Sequence, residues 1–293
     1  MARARALRLS GRIPGTGLAL RDVPTWLVGM FFVLLWAAPF VWMVSTSFKP
    51  PSQVLTQDIE WVPREWTLAN YIKVLTQYPV GRWALNSLIV AAASTAMCVL
   101  FGAMAGYALA RMRFPGRDLV FLVFIGSMMI PPEVGVVPLF IAMLQLGWAS
   151  TYQALILPTV ANVLSVYIFR QFFLSFPREL EDAAIVDGAG AFGIFFRIAL
   201  PLARSPLIAA TVIVFTLNWN NFLWPLLIIF DEDMKTLPVG IAAFAPVIGT
   251  HTQMEGFAVG MAAVTLLCIP SVTLFLLLQR YFIQGITAGG LKG

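Results

Sequence analysis

Covalent chemistry needs nucleophiles, bases or metal ligands held together, and this sequence carries few of them. His251 is its one histidine, and Cys98 and Cys268 sit in apolar runs, in neither a C-x-x-C nor any other metal or disulfide spacing. Neither H-E-x-x-H nor G-x-x-x-x-G-K-[ST] occurs, so no zinc-peptidase or phosphate-cradling motif is present. What is left is non-covalent recognition, at two kinds of place. Asn218, Trp219, Asn221 and Trp224 stand in an apolar run, and Glu133 follows Pro131-Pro132 in another. Glu179, Glu181 and Asp182 crowd a short polar segment. Asn218 and Asn221, three apart, share a helix face. Amides donate and accept hydrogen bonds while an indole plane packs on the C–H face of a ring, so this set suits a polyhydroxylated solute. The competing reading is packing, with asparagines bridging helices at about 0.6 kcal/mol per bond and Trp224 as an interfacial anchor.

The elements that would carry these residues follow from composition. Of 293 residues, 59% are hydrophobic and 11% charged, and mean hydropathy is +0.84. An ordinary soluble domain has about a quarter of its residues charged, so this is a membrane protein. A bilayer core takes about 20 apolar residues per helix, and six stretches qualify: 24–46, 84–110, 119–144, 154–173, 207–229 and 257–282. The first follows an arginine-rich leader, residues 1–23, and is too long for a signal peptide's apolar region, so it reads as a retained anchor. The net charge of +5 comes from basic residues flanking apolar runs, a topology signal rather than a nucleic-acid one. With both termini cytoplasmic, the inside holds the leader, Arg111, Arg113, Arg117, Arg170, Arg178, Arg197, Arg204, Arg280 and Lys292. Only Lys49, Arg64, Lys73, Arg82 and Lys235 fall outside, as the positive-inside rule requires.

Polar residues at membrane depth are costly and mark pathways by default, so Glu133 and the two asparagines are candidate lining. The two prolines beside Glu133 should interrupt the third span and free carbonyls that need neighbours or water. Gly102 and Gly106 form a G-x-x-x-G in the second span, suited to close helix approach within the chain or against another. Outside, Phe48 to Arg82 is a polar connection with Trp61 and Trp66, and with Trp83 just beyond it, read as interfacial anchors. A second outer loop, 231–255, opens on Asp231, Glu232 and Asp233; either loop is partner contact or merely solvated.

Residues 177–202, PRELEDAAIVDGAGAFGIFFRIALPL, fall on the cytoplasmic side. Pro177 suits the first turn of a helix, and Glu179, Glu181 and Asp182 complement its positive dipole end. Gly188 can take the left-handed conformation that ends it. A second helix starts at Ala189, with Phe192, Phe195 and Phe196 on one face, and Leu200-Pro201 turns the chain toward the fifth span. An amphipathic helix lying on the inner leaflet would be basic. This one is acidic after Arg178, which fits a protein partner with a groove and a basic residue.

Asp182-Ala183-Ala184, Gly188 and Ile198-Ala199-Leu200-Pro201 together resemble the EAA loop of ABC importer permeases. Further likeness lies in TLANY (67–71), NSLIVA (86–91), YALAR (107–111), FPGR (114–117), FRQFF (169–173), WNNFLWPL (219–226) and the tail GITAGGLKG (285–293). The chain thus looks like a MalG-like subunit of the carbohydrate importer family. The resemblance implies an all-α, six-span type I importer fold: a permease domain 24–282, a coupling loop 176–201 and a cytoplasmic tail 283–293. It further implies a bacterial cell membrane location, a second, MalF-like permease, an ATPase dimer and an extracytoplasmic solute-binding protein. ATP and magnesium would belong to the ATPase, with no cofactor on this chain and no catalysis by it. Glu181, Asp182, Ala183, Ala184, Gly188, Phe192, Leu200 and Pro201 would dock the ATPase. The family's usual glutamate is replaced by Asp182 after Glu181, so either carboxylate is a candidate for the basic partner. A short, glycine-rich tail would thread toward the ATPase interface. The solute could equally be a polyol or glycerol phosphate. A secondary transporter would be expected to show ion-coupling residues in broken helices, and Glu133 is the one charge deep in a span.

Overall fold

The computed structural model describes residues 23–54, 60–242, 244 and 253–290. The leader, His251 and the last three residues lie outside these. Every regular element described is helical, and the chain divides into two compact units: residues 1–73 with 246–265, and 74–245 with 266–293.

In the first unit, α1 (Val23–Ser47) is the first span, with Leu27, Phe31, Leu34 and Trp36 all exposed for lipid or another chain. Its C-terminal carbonyls are orphaned by helix geometry. Asn70 answers them: its amide donates to Ser47 O at 2.9 Å and Lys49 O at 2.8 Å, while Tyr71 hydroxyl meets Ser47 Oγ at 2.7 Å. TLANY thereby fastens the connection that follows the first span to the end of that span. Lys49 is enclosed, donates to Glu60 O, and is held below the ordinary lysine pKa by burial, with Glu60 opposing. α2 (Ala69–Gln77) begins within this motif.

The second unit is built on α3 (Val80–Arg111), the one long helix buried along much of its length. Around it run α4 (Arg117–Ser127), α5 (Val136–Gln145), α6 (Tyr152–Ile156), α7 (Val163–Leu174), α8 (Arg178–Val186), α9 (Ala191–Leu202), α10 (Arg204–Trp219), α11 (Leu223–Ile228) and α12 (Leu237–Ala242). α13 (Gln253–Gly290) is the last span and continues past the predicted end at residue 282, so most of the expected tail is helical. Among the described residues five helical stretches are long and apolar enough to cross a membrane when α6 is joined with α7 and α10 with α11, and six when α4 and α5 also count as one span.

Three expected spans are not continuous. α4 and α5 meet at 93° across Pro131-Pro132, where the missing N–H groups and the proline rings prevent a helix from passing. The fourth span is cut between Ile156 and Val163, with Asn162 capping α7 through Ser165 N at 2.9 Å. The fifth is cut at Asn220–Phe222. Such interruptions are tolerated at membrane depth only where protein or a cavity satisfies the freed backbone.

Helix α3 packs most closely on α7, and its G-x-x-x-G shows why. A Cβ on Gly102 would stand 2.5 Å from Ser165 Cβ, and one on Gly106 2.7 Å from Phe169 Cβ and 2.8 Å from Arg170 N. The motif works inside the subunit. At the opposite end, Trp83 is 1% exposed, donates to Glu232 O at 3.1 Å and lies flat against Gly240. It is core, not the interfacial anchor expected from its neighbours, whereas Trp61 and Trp66 are exposed. Asn86, fully buried, donates to Asp233 O at 2.7 Å and Lys235 O at 2.9 Å and accepts from Tyr152 hydroxyl at 2.7 Å. Ser87 Oγ accepts from Leu237 N at 2.7 Å. NSLIVA is thus the clasp of the 231–236 loop, whose Glu232 pairs with Lys235. Replacing Asn86 by leucine leaves Lys235 O without this donor and the Tyr152 hydroxyl without its acceptor, while Arg82 still donates to Asp233 O, at about 1–3 kcal/mol per buried group left unpaired. A lower melting temperature in detergent and faster proteolysis within 231–236 are the expected readings.

Candidate functional site

Segment 177–202 forms the two helices expected of it, at the end of α3 that carries Arg111. Pro177 precedes α8, whose first turn holds Glu179 and Glu181. Gly188 has φ of +81°, with its N–H on Ile185 O at 2.9 Å, which is the left-handed stop that only glycine adopts freely. α9 departs from expectation at its far end. A π turn at Phe195–Ala199 widens the helix just before Pro201 and lets it pass, so Leu200-Pro201 stays helical and the chain turns at Ala203 instead.

One apolar core welds this segment to the span helices. Ala184, Ile194, Phe195 and Ala199 pack with Ala103, Tyr107, Ala110, Phe169 and Phe173. Alanines recur because the helix backbones lie close. The three phenylalanines of α9 do not share a face: Phe195 is buried, whereas Phe192 is 71% exposed and Phe196 is also exposed. Consecutive residues on a helix point about 100° apart, so Phe195 can face the core while Phe196 does not. Beside Phe192 lies an apolar hollow of about 140 Å³, lined by Met104, Tyr107, Ala108, Met112, Ala191 and Phe195.

The two candidate carboxylates part company. Glu181 turns inward: Arg111 donates to its Oε2 from Nη2 at 2.6 Å and from Nε at 2.8 Å, and both side chains are largely enclosed. Asp182 and Ala183 face outward, as do Gly188 and Phe192. Ala184 and Leu200 are turned toward the core, and Pro201 is exposed. Asp182 and Ala183 on α8 and Phe192 on α9 are thus an exposed set on helices backed by one core, which can meet a partner with little ordering cost.

The pathway candidates also divide. Trp219 is buried, stacks on Phe215 and donates to Leu267 O at 2.9 Å. Trp224 is buried and donates to Ala154 O at 2.8 Å within a second core that includes Val90, Met143 and Ile228. Both indoles are spent on packing. Asn218 and Asn221 are half-buried at the break in the fifth span, and Glu133 is exposed at the α4–α5 bend. Two of the three breaks meet α3 at Cys98, whose Sγ donates to Thr159 O at 3.0 Å and which Asn218 adjoins. One turn away, Ser94 and Thr95 hold buried hydroxyls without partners. The run AAASTAMC carried that signal, small residues with hydroxyls in an apolar span, and only the neighbouring breaks give it meaning. No group of three or more metal-ligating residues occurs among the described residues.

Interrupted spans around α3, with a helical loop backed by a continuous core at its end, fit a transport permease. The chain belongs to the family described as binding-protein-dependent transport system inner membrane component, whose model matches residues 98–288. It is 38% identical to the arabinooligosaccharides transport system permease protein AraQ of Halalkalibacterium halodurans, over 92% of this chain and 97% of that one. It is 37% identical to the trehalose/maltose transport system permease protein MalG of Thermococcus litoralis, over 87% and 91%. The fold matches, with TM-score 0.78 at 21% identity, a chain in the crystal structure of a bacterial ABC transporter involved in the import of the acidic polysaccharide alginate, covering 90% of this chain and 99% of that one.

Proposed function

We propose that this chain is the permease subunit of an ABC importer that takes up a carbohydrate handed over by an extracytoplasmic binding protein. The observation that carries the reading is the outward strip Asp182-Ala183 with Phe192, backed by a continuous core. In this reading a separate ATPase dimer binds ATP and magnesium, seats one copy on the strip, and drives the spans between inward-open and outward-open states. Asp182, not Glu181, meets the basic residue of the ATPase, because Glu181 is committed to Arg111. A second permease completes the pathway. The carbohydrate assignment is supported by the oligosaccharide and trehalose/maltose permeases named above. Both termini lie in the cytoplasm, consistent with Arg111 and the 177–202 segment meeting at one end of α3 and residues 82–87 and 231–237 at the other.

The solute passes beside Asn218 and Asn221. Replacing either by alanine is expected to raise the concentration for half-maximal uptake several-fold, an amide–hydroxyl hydrogen bond contributing about 0.5–1.5 kcal/mol, while assembly is unchanged. Uptake kinetics in proteoliposomes check this, and unaltered kinetics would return the amides to packing. For the function as a whole, the chain is purified in mild detergent with whatever accompanies it. An ATPase, a second permease and a binding protein that retains a sugar are expected. A chain that transports alone would be a secondary transporter.

A further inference from the structure

The motif YALAR, 107–111, has no part in the docking strip or in the pathway, yet its two polar residues occupy the last turn of α3 beside the coupling segment. Tyr107 and Arg111, four apart, lie on one face of that turn. Arg111 reaches α8 through Glu181. Tyr107 reaches α9 through Phe195, with ring centroids 5.4 Å apart, and also packs on Phe173 of α7 at 5.2 Å.

We infer that Tyr107 and Arg111 form a two-point clamp that makes both coupling helices move as one body with α3, with Arg111 and Glu181 acting as positioning residues for energy coupling. This rests on the coupling-loop reading above. Three features favour position over stability. The pair is enclosed, at 7% and 13% side-chain exposure, where desolvating two charges offsets most of their attraction. The Tyr107 hydroxyl also adjoins Glu181, so both polar residues of the turn meet the one carboxylate. A well-packed apolar pair would hold the helices at less cost, but it would not fix one register between them. In turn, α3 is seated on α7 through Gly102 and Gly106, so a push on α8 reaches the pair of helices that borders two of the span breaks.

The test uses the assembled transporter in proteoliposomes and compares E181Q, R111Q, the exchanged pair R111E/E181R, Y107F and Y107A. Three quantities are read: ATPase subunit retained, ATP hydrolysed and solute transported per ATP. The clamp predicts that E181Q, R111Q and Y107A keep the ATPase but transport at least about fivefold less solute per ATP, in the usual range of coupling factors. Y107F keeps the ring and loses only the hydroxyl beside Glu181, so its ratio falls less than that of Y107A, and the exchanged pair recovers much of the loss. Unchanged ratios in both E181Q and R111Q would overturn the proposal. So would loss of the ATPase subunit in E181Q without recovery in the exchanged pair, since Glu181 would then be a direct contact. Melting temperatures of the purified variants separate unfolding from uncoupling, and the conservative E181Q still tests the clamp if the exchanged pair fails to fold. If the unmodified chain retains no ATPase, the coupling-loop reading itself fails, a result distinct from any of these.

Discussion

Gly106→Leu is expected to prevent this subunit from folding into a monodisperse species in detergent. The hydrogen that now faces α7 would become a branched side chain starting 2.7 Å from Phe169 Cβ, 2.8 Å from Arg170 N and 3.0 Å from Val166 O. Two of those neighbours are backbone, so no rotamer change relieves the clash; the helices must separate. Overpacking a close-packed core costs about 1–3 kcal/mol, occasionally more, and separation would also open the contacts of Tyr107, Phe169 and Phe173 that support α8 and α9. Gly126→Ala is the control, because a Cβ there meets nothing within 4 Å. Alanine at an open helical position should change stability by no more than about 1 kcal/mol, favourably if at all. Size-exclusion profiles and melting curves of the two variants decide the matter. Equal behaviour would mean that α3 and α7 are not held by this contact.

Substituting Phe192 by aspartate should separate docking from folding. Phe192 is 71% exposed and outside the core that fixes α9, so its loss leaves the subunit's melting temperature nearly unchanged. At a protein interface such an aromatic anchor is worth about 2 kcal/mol or more when truncated, roughly 30-fold in affinity. Capture of the ATPase subunit by the permease should fall at least that far, and uptake with it. Asp182→Lys is expected to act in the same direction through charge, reversing the attraction to a basic residue across the groove. An ATPase that binds both variants as tightly as the unmodified chain would remove the strip from the interface. The contrast with Gly106 is a contrast of location: one residue is covered within the chain, the other is exposed.

The sequence by itself determined the class. Long apolar runs and the placement of arginine established a polytopic helical membrane protein, because a bilayer leaves few alternatives for an unpaired backbone. Gly188 announced its left-handed turn and Pro131-Pro132 announced a break, since both act through local sterics. Tertiary structure alone decided which side chains remain free. Nothing local distinguishes Glu181 from Asp182, adjacent carboxylates on one turn, until Arg111, seventy residues earlier, pairs with the first. Trp83, Trp219 and Trp224 read as surface or pathway residues until carbonyls of distant segments accept their N–H groups. Phe192, Phe195 and Phe196 read as one face until the core on Tyr107 and Phe173 took in Phe195 alone. Local chemistry sets what a residue can do, and long-range partners set what is left for it to do.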